Sequence, residues 1–262
     1  MQMSINSYIF ICMKTFRLTL MLLFISIAAN ADNEIFTTNN GVIVPNASFV
    51  TPLYYHQERN HDEANYTLVM TQSLSTPDGH VYELKAYQHK EDISDFADST
   101  FSRLVITCKA PERDADGNIK RTDDGKAVYN THEPVCFVHD NMWTYFNCFG
   151  FGLYTDHSWK ESGRYVCRKV DLADNCCAVL LRGWPDATAL RDLTIILLKD
   201  DQITLVYNQA RDITGVAESD GTTVYTIQDN WFREDEETLI PHLRRLVFGN
   251  GTITEENSET AE

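Results

Sequence analysis

Alternation of apolar and polar positions, broken by Asp-Gly pairs, runs through most of the chain. Between Val81 and Gln88, Tyr82, Leu84 and Ala86 fall on one side of an extended backbone and Glu83 and Lys85 on the other. That period of two is the signature of a half-buried strand. Tyr66 to Ser73 forms a matching run on the far side of Asp78-Gly79. Asp116-Gly117, Asp124-Gly125 and Asp220-Gly221 are further pairs of this kind; each supplies the positive φ that tight hairpin turns need. Leu193 to Leu198 is apolar on both faces and predicts a central strand, followed by a turn at Asp200-Asp201 and an alternating run through Ile203, Leu205 and Tyr207. Thr222 to Gln228 is rich in β-branched residues, and Val135 to His139, Met142 to Cys148 and Tyr165 to Val170 add strands in the middle.

Helical spacing is rare. Ile93, Phe96, Ala97, Phe101 and Leu104 recur at that spacing, with Asp92 or Ser94 as N-cap. Leu239, Ile240, Leu243, Leu246 and Val247 share a face of a second predicted helix over Thr238 to Phe248, with Pro241 in its first turn. The expected fold is mainly β, a hairpin-rich antiparallel sandwich or open barrel with one or two short helices; an α+β arrangement is the alternative.

The N-terminus changes the picture of where the chain works. Lys14 and Arg17 precede an apolar stretch from Leu18 to Ile27, and Ala29-Asn30-Ala31 ends it. A basic start, a short apolar run and an A-x-A end predict a secretory signal over residues 1–31, with residues 1–12 as an upstream extension if Met13 is the start. The apolar run is about half the ~20 residues a spanning helix needs, so a secreted or periplasmic chain without stable membrane insertion is expected. The folded part is expected as one β-rich domain over residues 32–249, and the acidic segment 250–262, which lacks apolar periodicity, as a disordered tail.

In an exported chain, Cys108, Cys136, Cys148, Cys167, Cys176 and Cys177 predict disulfides stapling residues 108–177. Zinc-type C-x2-C pairs are missing, and the adjacent Cys176 and Cys177 are expected to take different partners.

Acidity narrows the partners. Asp and Glu number 38 against 22 Lys and Arg, a formal net charge of −16. Such a field disfavours nucleic acid and favours a cationic partner. Asp114, Asp116, Asp123 and Asp124 crowd one loop and are candidate calcium ligands, but Gly117 follows Asp116 directly, out of step with an EF-hand. His56, His61, Asp62 and Glu63 form the densest histidine cluster. His132-Glu133 and His139-Asp140 flank Cys136 in a nucleophile-like pattern. Neither cluster has the spacing of a known metal or hydrolase motif, and no cofactor is expected. Trp143, Tyr145, Phe149, Phe151, Tyr154 and Trp159 make the most aromatic stretch and are the candidate binding platform. Together these features predict an exported interaction protein that binds a cationic protein or a carbohydrate. A hydrolase using carboxylates or a metal, and a structural envelope component, are the alternatives.

Overall fold

Residue pairs such as Asn40-Gly41, Asp220-Gly221 and Asn250-Gly251, both members at positive φ (50° and 82°, 49° and 75°, 52° and 77°), close tight hairpins along the chain. The structure, a computed structural model, describes residues 33–92, 100–144, 165–173, 175–183, 192–229 and 242–257. The elements below belong to the compact unit that begins at Ile35.

The strands are β1 (Phe36–Asn39), β2 (Val42–Pro45), β3 (Tyr66–Ser75), β4 (Val81–His89), β5 (Thr100–Pro111), β6 (Tyr129–Thr131), β7 (Val135–Thr144), β8 (Arg168–Asp171), β9 (Cys177–Gly183), β10 (Asp192–Lys199), β11 (Gln202–Gln209), β12 (Arg211–Ser219), β13 (Thr222–Asp229), β14 (Leu243–Gly249) and β15 (Thr252–Asn257). All pairings between them are antiparallel. β1 and β2 form a hairpin. The largest sheet follows the order β11-β10-β9-β7-β5-β4-β3, with β6 on β5 and β8 on β9, and the third sheet is β12-β13-β14-β15. Among the described residues the fold is therefore mainly β with no closed barrel, as the alternation predicts.

Burial shows how the sheets are layered. On β9 and β10, Ala178, Leu180, Leu193, Ile195 and Leu197 join a core with Ile213, Tyr225, Ile227, Leu246, Phe248 and Ile253 of the four-stranded sheet. The alternate residues Cys177, Val179, Leu181, Ile196 and Leu198 join a second core with Tyr82, Leu84, Ala86, Phe101, Leu104, Ile106 and Trp143. The large sheet thus folds over on itself, and β9 and β10 are covered on both faces, as expected of a strand apolar on both sides. Each fully buried Leu, Ile or Val contributes ~1.5–3 kcal/mol by leaving water. The fold-over happens where β7 hands on to β9, which pair among the described residues at Trp143 with Gly183 and Thr144 with Arg182.

Three expectations are corrected. Leu243 to Phe248 is strand β14, not helix: Leu246 and Phe248 face the core at a period of two, and residues 238–241 lie outside the described residues. The N-terminal part of the other predicted helix, 93–99, also lies outside them, and its end from Thr100 is strand β5. Among the described residues the helical turns are the short 3-10 segments Ala47–Phe49 and Glu63–Asn65. The expected disordered tail contains β15, because Asn250-Gly251 turns the chain back onto β14 and buries Ile253 and Glu255.

The cysteines form no disulfide among the described residues; Cys108, Cys136, Cys167 and Cys177 are thiols, and Cys148 lies outside the described residues. Cys108, Cys167 and Cys177 fill the second core as small apolar side chains, whereas Cys176 belongs to the first. Adjacent residues on an extended backbone point to opposite faces, which separates Cys176 from Cys177. Burial raises the Cys108 thiol to about 11 and the Cys177 thiol to about 12, and pushes Cys167 up as well. No helix among the described residues is long and apolar enough to cross a membrane.

Candidate functional site

The β5–β7 ladder contains an insertion. Arg103 pairs with Val138, and pairing resumes at Phe101 with Trp143, so Ser102 alone faces the stretch from His139 to Met142. Met142 closes this bulge at φ 63°, a conformation costly for a long side chain. Bulges of this kind re-aim side chains, and here His139, Asp140 and Asn141 leave the regular ladder.

An extended strap, residues 51–62, lies across the bulge. Thr51 N–H donates to the Asn208 carbonyl at 3.1 Å, and Asn208 Nδ2 donates back to the Thr51 carbonyl at 2.8 Å. Tyr54 N–H donates to His139 Nδ1 at 3.1 Å, and Asp140 N–H to the Tyr54 carbonyl at 2.9 Å. Because His139 Nδ1 accepts, the proton of the neutral ring sits on Nε2, which lies 3.4 Å from Asp192 Oδ2, out of line for a full hydrogen bond.

Arg59 clamps the strap to the sheet. Its guanidinium pairs with Asp92 and, at 2.9 Å, with Asp140 Oδ1. Asp92 also accepts from Ser102 Oγ at 2.6 Å and His89 N–H at 3.0 Å, which ties the residue opposite the bulge into the same cluster. Asp140 Oδ2 accepts from His56 N–H at 2.6 Å. His61 Nδ1 lies 2.7 Å from the Tyr66 hydroxyl, and its ring stacks under Tyr55 with centroids 4.1 Å apart. Burial, reinforced by the charge of Asp140, pushes the Tyr66 phenol up to about 12. His89 Nε2 lies 2.8 Å from the Asn60 carbonyl while Nδ1 accepts from Glu91 N–H, so this ring is the Nε2–H tautomer.

Beneath the bulge, Trp143 Nε1–H donates to Thr194 Oγ1 at 3.1 Å, and that hydroxyl donates to Asn208 Oδ1 at 2.8 Å. A buried polar chain therefore runs from the core to the start of the strap. Gly183 closes the corner: a Cβ there would meet the Asp192 Cβ at 2.9 Å, so only glycine lets Asp192 approach the bulge.

Two clefts share Tyr54. A cleft of about 570 Å³ is lined by Tyr54, Tyr55, His139, Asn141, Asp192 and Gln209, among others. One of about 390 Å³ is lined by His56, Glu58, Arg59, Glu91, Asp92 and Asp140 besides Tyr54. Tyr54 and Tyr55 are about half exposed, at 49% and 51%, whereas the charged groups that fix the strap are buried. The larger cleft offers amide, carboxylate and phenol groups beside aromatic faces; the smaller gathers Glu58, Glu91, Asp92 and Asp140 around a single arginine.

The sequence candidates fall unevenly on this geometry. His56 and His61 of the histidine cluster meet His139-Asp140 across the strap. Asp62 and Glu63 do not join them: Asp62 N–H caps onto Asn60, and Glu63 pairs with Arg103 at 2.9 Å. Cys136 is exposed against Arg103, and no contact among the described residues joins it to His132 or His139. Trp143 is fully buried and serves the core rather than a binding platform; Tyr145, Phe149, Phe151, Tyr154 and Trp159 lie outside the described residues. Asp114 accepts the backbone N–H groups of Asp116 and Asn118, and Asp124 pairs with Lys126 at 2.6 Å and with Thr122. Those two carboxylates shape exposed turns, the role short acidic side chains take in such loops. Asp116 and Asp123 lie in the same exposed turns. Tyr54, Tyr55, Arg59, Asp92, Asp192 and Asn208 were not legible as site residues. Comparison with known protein families, with curated proteins and with solved structures finds no match for the chain.

Proposed function

We propose that this chain is an exported binding protein that takes a carbohydrate in the cleft beside Tyr54 and Tyr55. The observation that carries the reading is the pair of half-exposed tyrosines next to a wall bearing Asn141, Asp192 and Gln209. Aromatic faces cover the apolar side of a sugar ring, while amide and carboxylate groups take its hydroxyls. Pre-organisation supports it: the strap is held by buried ion pairs, and the bulge is held from below by Trp143, Thr194 and Asn208, so little order is lost on binding. Binding fits the geometry better than hydrolysis. Asp92 and Asp140 are both tied to Arg59, and His139 Nδ1 is occupied by Tyr54, so these three groups are engaged in holding the strap rather than free to move a substrate proton. The test is a glycan array followed by calorimetry on the chain from Asp32 onward. One class of glycan should bind, and Tyr54→Ala and Asn141→Ala should each weaken it by about tenfold, the scale of one lost good contact. An array without hits, or variants that bind as wild type does, sinks the reading.

The acidic cleft favours a second reading, capture of a cationic protein. Glu58 and Glu91 are exposed, and Arg59 is the one lysine or arginine among the described residues that line this cleft. A lysine or arginine of a partner suits that notch. Capture on immobilised chain should fall with salt and with Glu58→Gln plus Glu91→Gln; a partner retained equally by the double variant counts against the notch.

A further inference from the structure

We propose that Asp78, His80 and Asp200 form a binding site for a divalent cation of the zinc type, separate from the clefts at Tyr54. These residues come from two turns far apart in the chain: Asp78 and His80 connect β3 to β4, and Asp200 connects β10 to β11. One ligand atom from each can be chosen so that all lie within 4.8 Å of one another.

The fold sets both turns firmly. The Asp200 carbonyl accepts from the buried Tyr82 hydroxyl at 2.8 Å and from the Cys108 thiol at 3.0 Å, and the residue sits at φ 52°. On the other side, the Asp78 carbonyl accepts from Arg113 Nη2 at 2.6 Å, and Thr76 Oγ1 donates to Asp78 Oδ1 at 2.5 Å. Asp78 Oδ2 is left facing His80 Nδ1 at 2.8 Å, and the His80 ring is backed by Tyr82 with centroids 6.5 Å apart. The backbone contacts thus bring two carboxylates together, and among the described residues neither has a lysine or arginine ion-pair partner. Arg113 spends its guanidinium on the carbonyls of Asp78 and Gly117 instead.

Two carboxylates and a neutral imidazole carry the charge that one dication balances. Tetrahedral zinc with ligand bonds of ~2.0–2.2 Å places its ligand atoms ~3.3 Å apart. To hold the ion the side chains rotate from their present separations of up to 4.8 Å, with His80 giving up its bond to Asp78 and presenting Nδ1 with its proton on Nε2. The nitrogen donor selects against calcium and magnesium, which take oxygen ligands. Three protein ligands leave a coordination position for water or for a partner's side chain.

The experiment is calorimetry with Zn²⁺ in a non-chelating buffer, on the chain from Asp32 onward with Cys136 alkylated. Wild type should bind one ion per chain. Asp200→Asn and His80→Gln should each weaken it by more than about tenfold, since even outer-shell changes cost ~10–100-fold in metal sites. Asp200→Asn keeps the backbone carbonyl, and asparagine tolerates positive φ, so circular dichroism should show both variants folded. No ion bound by wild type, or equal affinity in both folded variants, overturns the site. Because the readout is stoichiometry and affinity for the ion, its outcome is independent of whether any glycan binds.

Discussion

Replacing Arg59 with methionine removes the clamp between strap and sheet and leaves two carboxylates behind. The side chains concerned are nearly enclosed: Arg59 is 9% exposed, Asp92 4% and Asp140 3%. Breaking a buried pair by deleting one partner costs ~3–5 kcal/mol, most of it the penalty of the orphaned charge. Both orphans keep other donors, Ser102 Oγ and His89 N–H on Asp92 and His56 N–H on Asp140. The lower end, about 3 kcal/mol, is therefore expected. For a domain of this size that is a fall in Tm of roughly 6–12 °C. Urea unfolding of Arg59→Met with an unchanged m-value measures the loss directly. Adding Asp140→Asn to Arg59→Met should recover part of it, because one of the two orphaned charges is then gone. A loss below about 1 kcal/mol puts the clamp in the class of exposed ion pairs, and the argument that the strap is pre-organised fails with it.

Ending the chain at Gly249 should destabilise it by at least about 4 kcal/mol in the same assay: Ile253 is fully buried, and Glu255 accepts from the Tyr207 hydroxyl at 2.7 Å and from Arg244 at 2.9 Å; a truncation as stable as the full chain contradicts the assignment of β15. Disulfide-exchange labelling at about pH 8 should modify Cys136 well before Cys108, Cys167 and Cys177, since thiols raised to about 11 and about 12 carry at most one thiolate in about a thousand; peptide mapping that finds Cys108 labelled as fast as Cys136 refutes its burial. Tyr66 favours its neutral form in the fold, so its contribution is complete below about pH 10 and is lost as pH rises towards about 12. The stability gap between wild type and Tyr66→Phe should narrow over that window, and a gap independent of pH is the contrary result.

The fold was legible where a pattern had one cause. Leu193 to Leu198 could only be a strand covered on both faces, and Tyr82, Leu84 and Ala86 are all fully buried as their alternation predicts. The C-terminal difference arises because Leu243, Leu246 and Val247 recur at helical spacing, whereas the strand buries Leu246 and Phe248 at a period of two, and Asn250-Gly251 is the turn that decides between them. The site was half legible. His56, His61 and His139-Asp140 were visible as separate clusters, but nothing local joins Arg59 to Asp140, 81 residues away, or to Asp92. A bulge has no period, so the insertion that turns His139 and Asn141 out of the ladder leaves no trace in the alternation. Aromatic density marks cores and platforms alike, and the place of Trp143 opposite Gly183, fully buried, decides for the core.

The strand order has a kinetic consequence. Every pairing between named strands joins neighbours along the chain or strands next but one, so register is settled hairpin by hairpin. Hairpins form in ~1–10 μs, whereas contacts distant along the chain wait on loop closure. The distant contacts here are those between layers, and among the described residues the large sheet is continuous across its bend through two pairs. The stretch from Tyr66 to Thr144 and the stretch from Arg168 to Gln209 are therefore expected to zip up as separate cooperative units. Refolding should be limited by their collapse around β9 and β10, whose amides should then be the last to exchange with solvent.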